Sequence, residues 1–206
     1  MISVLIPYAT HDGHTRRIAD FVARVIRERG FEATAVDIKR SRLLPPDAYD
    51  AVIVGASIRM GKHDRYATAF VRRNRGALER VPSAFFSVSL AAHDDTESGR
   101  NEVRGYIERF VQRTGWRPKA IGVIAGALLY TQYDFLTRWM MKKIARDHRN
   151  PDLDTTRDYV YTDWGGVRRF VDDFLEQAFP ESCAVIAERA ALVAQKVPQA
   201  DREARL

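Results

Sequence analysis

Four short stretches of this 206-residue chain carry residue types suited to holding a ligand. The first, Thr10-His11-Asp12-Gly13-His14-Thr15, has hydroxyls at both ends and a glycine inside. With a helix starting behind it, the first-turn N–H groups have no intrahelical acceptors and sit at the positive end of the helix dipole, so an anion such as a phosphate satisfies both. An ordinary N-cap explains the position equally well. The other three are Ser57-Ile58-Arg59-Met60-Gly61-Lys62-His63, Ser87-Val88-Ser89-Leu90-Ala91-Ala92-His93 and Gly126-Ala127-Leu128-Leu129-Tyr130. Small residues let backbone groups approach a flat ligand, which Arg59 or Tyr130 can cover or edge. Each stretch alone reads as turn chemistry.

The elements that must position these residues alternate. Short apolar runs over Ile2–Pro7, Ala33–Ile38, Ala51–Ala56, Ala84–Val88 and Ala120–Ala125 read as strands. The third and fifth are almost continuously apolar, as strands buried on both faces are. Helical periodicity falls on Arg16–Arg29, Tyr66–Glu79, Asn101–Arg113, Asp134–Asp147 and Trp164–Ala178. Strand–helix alternation of this kind predicts a doubly wound α/β sandwich with right-handed crossovers. Its ligand lies beyond the carboxyl ends of the strands, where all four stretches fall.

Composition bounds the class. With 46% hydrophobic and 29% charged residues, the chain has the apolar content for one packed domain. One cysteine, Cys183, excludes an intrachain disulfide and a cysteine-based metal site, and histidines 11, 14, 63, 93 and 148 form no ligand motif, so no metal is expected. A formal charge of +6 favours an anionic partner: a membrane face, an acidic small molecule or nucleic acid. The basic residues match no nucleic-acid module, and none is expected to be bound. No apolar run reaches the length of a signal peptide or membrane span, which predicts a protein kept on the cytoplasmic side, at most peripheral to the membrane.

Neither the Gly-x-Gly-x-x-Gly dinucleotide signature nor a triphosphate loop ending in Gly-Lys-Ser/Thr is present. A threonine-framed turn with one glycine suits a terminal monophosphate, and Thr10–Thr15 resembles the phosphate loop of flavodoxin-like FMN proteins. The strings Gly55-Ala-Ser-Ile-Arg59, Pro82-Ser-Ala-Phe-Phe-Ser-Val-Ser-Leu90, Trp116-Arg-Pro118, Val123-Ile-Ala-Gly-Ala-Leu128 and Val160-Tyr-Thr-Asp-Trp164 resemble, in order, the menaquinone-dependent protoporphyrinogen oxidase family.

That resemblance implies a flavodoxin-like five-stranded parallel sheet, strand order 2-1-3-4-5, binding FMN. It implies oxidation of protoporphyrinogen IX to protoporphyrin IX in haem biosynthesis, with electrons passed to menaquinone or a related quinone. By position, Thr10, His11, Asp12, Gly13, His14 and Thr15 would cradle the phosphate. Ser57, Ile58 and Arg59, Ser87, Val88, Ser89, Leu90, Ala91 and Ala92, and Gly126, Ala127, Leu128 and Tyr130 would surround the rest of the cofactor. Asp12 departs from the hydroxyl of simple flavodoxin loops. A carboxylate ~4 Å from a phosphate costs on the order of 4 kcal/mol per charge pair at an effective dielectric of 20, so Asp12 is expected to turn back onto backbone N–H groups. His11 and His14 are expected at the surface.

Residues 1–179 are expected to form the FMN domain, with an insertion at about 129–156. Within it, residues 135–149 place Leu136, Trp139, Met140 and Ile144 on one helical side and Arg138, Lys142, Arg146 and Arg149 on another. Such a helix fits an anionic membrane surface, or packs on its own protein with a solvated basic face. Tyr159–Thr162 reads as a return strand, and residues 180–206 as a helical or flexible extension. His93, Tyr130 and His63 are candidate bases, none singled out by spacing. Two rival functions are a flavodoxin-type electron carrier, against which the positive charge counts, and a nicotinamide-fed quinone reductase.

Overall fold

The computed structural model describes residues 1–41, 45–128 and 157–196. Its strands are β1 (Ser3–Ala9), β2 (Glu32–Asp37), β3 (Ala51–Arg59), β4 (Lys62–His63), β5 (Ser83–Ser89), β6 (Ala120–Ala125), β7 (Ala127–Leu128) and β8 (Tyr159–Val160). Its helices are α1 (His14–Glu28), α2 (Arg65–Arg80), α3 (Glu97–Thr114), α4 (Trp164–Ala178) and α5 (Pro180–Lys196). The sheet runs β2-β1-β3-β5-β6, all parallel, which is the expected order. Sequence reading missed β4, which pairs antiparallel with the end of β3, and started α1 and α3 late, at Arg16 and Asn101.

Period-two alternation along the strands divides the core. Val4, Ile6 and Tyr8 of β1, Ile53 of β3 and Phe86 of β5 face α1 and α4, meeting Ile18, Val22, Ile26, Val171 and Phe174. Leu5, Val52, Val54 and Phe85 face the opposite way, onto Val71 and Leu78 of α2 and Phe110 of α3. Trp116 closes this second layer at the far end of the sheet. It is fully buried, and its indole donates to Ser83 Oγ at 3.3 Å, while that hydroxyl donates to Leu78 O at 2.7 Å. The Trp116-Arg-Pro118 string is therefore a packing feature, remote from the strand ends that carry ligand loops.

The α5 helix follows α4 through Phe179 and reaches back to the same core. Cys183 and Ile186 pack against the α1/α4 layer, with Ile186 Cδ1 on the side of Gly30 where a Cβ would stand. Residues 129–156, including the predicted basic helix and Tyr130, lie outside the described residues, as does the end of the chain from residue 197. Among the described residues no helix is long and apolar enough to cross a membrane.

Gly55 exists for Phe86. A Cβ placed on Gly55 would stand 2.1 Å from Phe86 Cζ, and that ring is fully buried and in register beside it. Gly55→Ala must expel the ring or bend β3, at a cost of about 1–3 kcal/mol. Urea unfolding should show a lower midpoint with an unchanged slope.

Candidate functional site

The carboxyl end of β1 delivers the chain into the Thr10–Gly13 turn. Thr10 Oγ1 accepts the Gly13 N–H at 3.0 Å, closing the turn from within. Gly13 adopts φ 79°, left-handed geometry that an L side chain enters only with strain, and serves as N-cap to α1. No side chain caps this helix, so its first-turn amides remain available at the positive end of its dipole. Thr15 is 1% exposed, and its hydroxyl has no partner among the described residues. Uncapped amides, a left-handed glycine and an unpaired hydroxyl make a donor set fitted to a phosphate.

Two side chains far along the sequence brace this turn. Lys39, just past β2, donates to the Thr10 carbonyl at 2.5 Å and pairs with Asp64 at 2.6 Å. Asp64 in turn accepts the Tyr66 N–H at 2.9 Å as the N-cap of α2, and its own amide donates to Ser57 O at 3.0 Å. One ammonium thus ties the first loop to the second.

The other brace is His14, which is buried rather than at the surface. Its Nε2 lies 2.7 Å from Thr162 Oγ1, and the Thr162 hydroxyl donates to Ala125 O at 2.7 Å. With that single proton committed to the carbonyl, Thr162 Oγ1 accepts from His14 Nε2–H, which assigns the neutral tautomer with Nδ1 as a bare acceptor. Burial, then the nearby Arg17 cation, lowers the His14 pKa and keeps the ring neutral. His14 Nδ1 and Ser57 Oγ are buried without partners.

The second stretch is a hairpin rather than an open loop. β3 and β4 pair Ile58 with His63 and Arg59 with Lys62, leaving a two-residue turn, Met60-Gly61, with φ 50° and 73°. Positive φ at both central positions is the type I′ geometry that suits hairpin twist. Met60 is the one non-glycine residue with positive φ among those described, and it holds an apolar side chain 79% exposed at the hairpin tip. His63, at the base, hydrogen-bonds Ser87 at 2.9 Å and lies against the rings of Phe85 and Phe110, which stack at 4.4 Å. Burial, then Arg109, pushes its pKa down to about 3, so the His63 ring is neutral at neutral pH and a weak proton acceptor.

In the third stretch Ser87 and Val88 are buried within the sheet and support the edge from beneath. Ser89 Oγ accepts the Ala92 N–H at 3.2 Å, shaping a 3-10 turn over Ala91–His93, and Leu90 projects with 37% exposure. The fourth stretch begins as expected: Gly126 N–H donates to Ser89 O at 3.0 Å, and Ala127 and Leu128 pair with Val160 and Tyr159. Exposed His93 stacks on Tyr161 with centroids 4.1 Å apart.

A flavodoxin-domain family model matches residues 5–154. The chain is 38% identical over 172 residues to a Leishmania major protein named protoporphyrinogen IX dehydrogenase (quinone), covering 82% of this chain and 73% of that relative. It is 36% identical over 169 residues to the protein of that name from Escherichia coli strain K12, covering 82% of this chain and 92% of the relative. The chain belongs to this flavodoxin-domain oxidoreductase family. Among solved structures, it superposes on a short-chain flavodoxin associated with a bacterial microcompartment with a TM-score of 0.54 at 11% identity, covering 86% of this chain and 99% of that one, a likeness that shows the fold. FMN is the cofactor that goes with a flavodoxin domain, and the donor set around Thr10–Thr15 fits its phosphate.

Within this family member, the structure corrects two expectations. Asp12 is exposed and makes no hydrogen bond among the described residues; Thr10 takes the Gly13 amide in its place. His14 is a buried brace, while His11 is exposed as expected and its pKa is lowered by burial, then by Arg59. Lys39, Asp64, Thr162 and Tyr161 went unrecognised. Thr162 and Tyr161 lie inside the Val160–Trp164 string and Asp64 carries an N-cap signal before α2, whereas nothing local marks the pairing of Lys39 with Asp64.

Two outcomes follow from these contacts. Lys39→Met strands the largely buried Asp64 carboxylate and should cost about 1–3 kcal/mol in urea unfolding, with Lys39→Met/Asp64→Asn recovering part of the loss. His63 is neutral when folded down to about pH 3 but takes a proton near 6.5 when unfolded. The unfolded state therefore binds more protons between those values, and stability falls as pH drops through this window by up to about 1.4 kcal/mol per unit. His63→Gln should flatten the dependence of unfolding free energy on pH between 6 and 4; an unchanged slope refutes the assignment.

Proposed function

We propose that this protein oxidises protoporphyrinogen IX to protoporphyrin IX through bound FMN and passes the electrons to a quinone, with menaquinone the acceptor and haem biosynthesis the setting. What carries the reading is 36–38% identity, over 82% of the chain, to proteins bearing that activity in their names. The loops at the carboxyl edge of the sheet supply the chemistry it needs.

FMN, when bound, supplies the group that accepts a hydride from the substrate and releases the electrons to the quinone. The protein's task is to hold, orient and shield. Thr10, Gly13, Thr15 and the first amides of α1 hold the phosphate, with Lys39 fixing the turn. Ser57, Ile58 and Arg59 on the hairpin, Ser89 to Ala92, and Gly126 to Leu128 flank the remainder of the cofactor. Met60 and Leu90 give the mouth apolar tips suited to a tetrapyrrole or quinone body. His93 presents the exposed imidazole at this mouth for the substrate's proton, whereas His63 is held neutral beneath it. A quinone acceptor sets the protein on the cytoplasmic face of a membrane.

Purified protein should carry flavin absorbance and, anaerobically, develop porphyrin fluorescence from protoporphyrinogen only when menaquinone is added. A flavoprotein that oxidises NADPH and leaves protoporphyrinogen untouched overturns the proposal.

A further inference from the structure

A second concentration of charge lies beside the hairpin, on the α2/α3 side of the sheet. A cavity there is lined by Lys62 and His63 of β4, Thr68 of α2, and Tyr106, Arg109 and Arg113 of α3, with Phe110 also on its wall. Lys62, Arg109 and Arg113 are exposed, and none forms an ion pair among the described residues. Other surface cations, Arg72, Arg73 and Arg104 among them, also lack an ion pair among the described residues, but these three converge on one cavity. No acidic side chain lines the cavity. Glu102, on the same helix face as Arg109 but two turns away, is engaged by the Tyr106 hydroxyl, and the Arg109 guanidinium lies over the Tyr106 ring.

Arg109 and Arg113 are spaced i,i+4, where like charges oppose helix formation, and Lys62 adds a third positive charge from the facing hairpin. A local rule broken without an internal counter-charge is the pattern of a site awaiting an external one. Phe110 is buried and His63 half-buried beneath the cavity, so what the cavity presents is its cationic rim. A cationic rim with no facing carboxylate fits the carboxylate groups of a ligand.

The cavity also adjoins the proposed cofactor site. Lys62 pairs across the hairpin with Arg59, so the cation cluster begins one strand spacing, about 5 Å, from a residue assigned to the flavin. We infer that Lys62, Arg109 and Arg113 form a carboxylate subsite that takes propionate arms of the tetrapyrrole while its ring system lies toward the flavin. The inference rests on the proposed activity for the identity of the ligand, and on the cavity for its chemistry.

The test is a fluorescence titration of flavin-loaded protein with protoporphyrin IX and with its dimethyl ester, which keeps the ring and removes the charges. Wild type should bind the diacid about tenfold more tightly than the diester. K62Q/R109Q/R113Q should lose about tenfold for the diacid and little for the diester, as three exposed charge contacts together predict. Equal binding of the two ligands by wild type, or equal weakening of both in the variant, overturns the subsite. If wild type prefers the diacid and the variant abolishes that preference, yet wild type does not oxidise protoporphyrinogen, the carboxylate subsite stands and the proposed activity falls.

Discussion

Parallel strands cannot be joined by tight turns. Each must return to the far end of the sheet before the next begins, and that geometry forces every strand-to-helix transition onto one edge. In this chain the five parallel strands β2-β1-β3-β5-β6 bring Thr10–Thr15, Ser57–His63, Ser89–His93 and Gly126–Leu128 to that edge. The site exists because the sheet is parallel. The sheet is stable because α1 and α4 cover one face and α2 and α3 cover the other over β1, β3 and β5.

Burial alone would leave those loops free to differ in spacing, and polar contacts fix it. Lys39 joins the Thr10 carbonyl to Asp64, and Asp64 secures both the start of α2 and the Ser57 strand end. On the opposite side His14, Thr162 and Ala125 link the start of α1 to the end of β6. Both braces are enclosed hydrogen-bonded groups whose loss leaves a partner unsatisfied, so each does more to hold geometry than an exposed ion pair would. The buried, unpartnered Nδ1 of His14 and Oγ of Ser57 show that this edge is not built for stability alone. Met60, with positive φ and an exposed apolar side chain, shows the same at the hairpin tip.

Much of this architecture was legible in the residues. The near-continuous apolar run Ala51–Gly55 identified a strand buried on both faces. Ile121–Ala125 instead forms the last strand of the sheet order, β6, with Ile121 and Val123 exposed on one face, because a run of apolar residues does not reveal whether a neighbour covers it. The hairpin at Met60-Gly61 was not legible, because left-handed backbone at a methionine contradicts local preference and is held by the pairing of Arg59 with Lys62. The burial of His14 is not legible in the sequence, because its neighbours along the chain are polar whereas its neighbours in space include Trp164 and Thr162. Thr10, not Asp12, takes the turn amide, since a hydroxyl three residues before that amide reaches it within the turn.

By itself, the sequence determined most element types, the strand order through its resemblance to a known family, and the loops proposed to hold the cofactor. Those properties depend on local periodicity, turn chemistry and strings of adjacent residues, all carried along the chain. Only tertiary structure decided which charges are satisfied and which are not. Lys39 finds Asp64, His14 finds Thr162, and Lys62, Arg109 and Arg113 meet around one cavity without a carboxylate. The reason is physical: an electrostatic interaction depends on distance in space and on the surrounding dielectric, and neither is written in the spacing of residues along a chain.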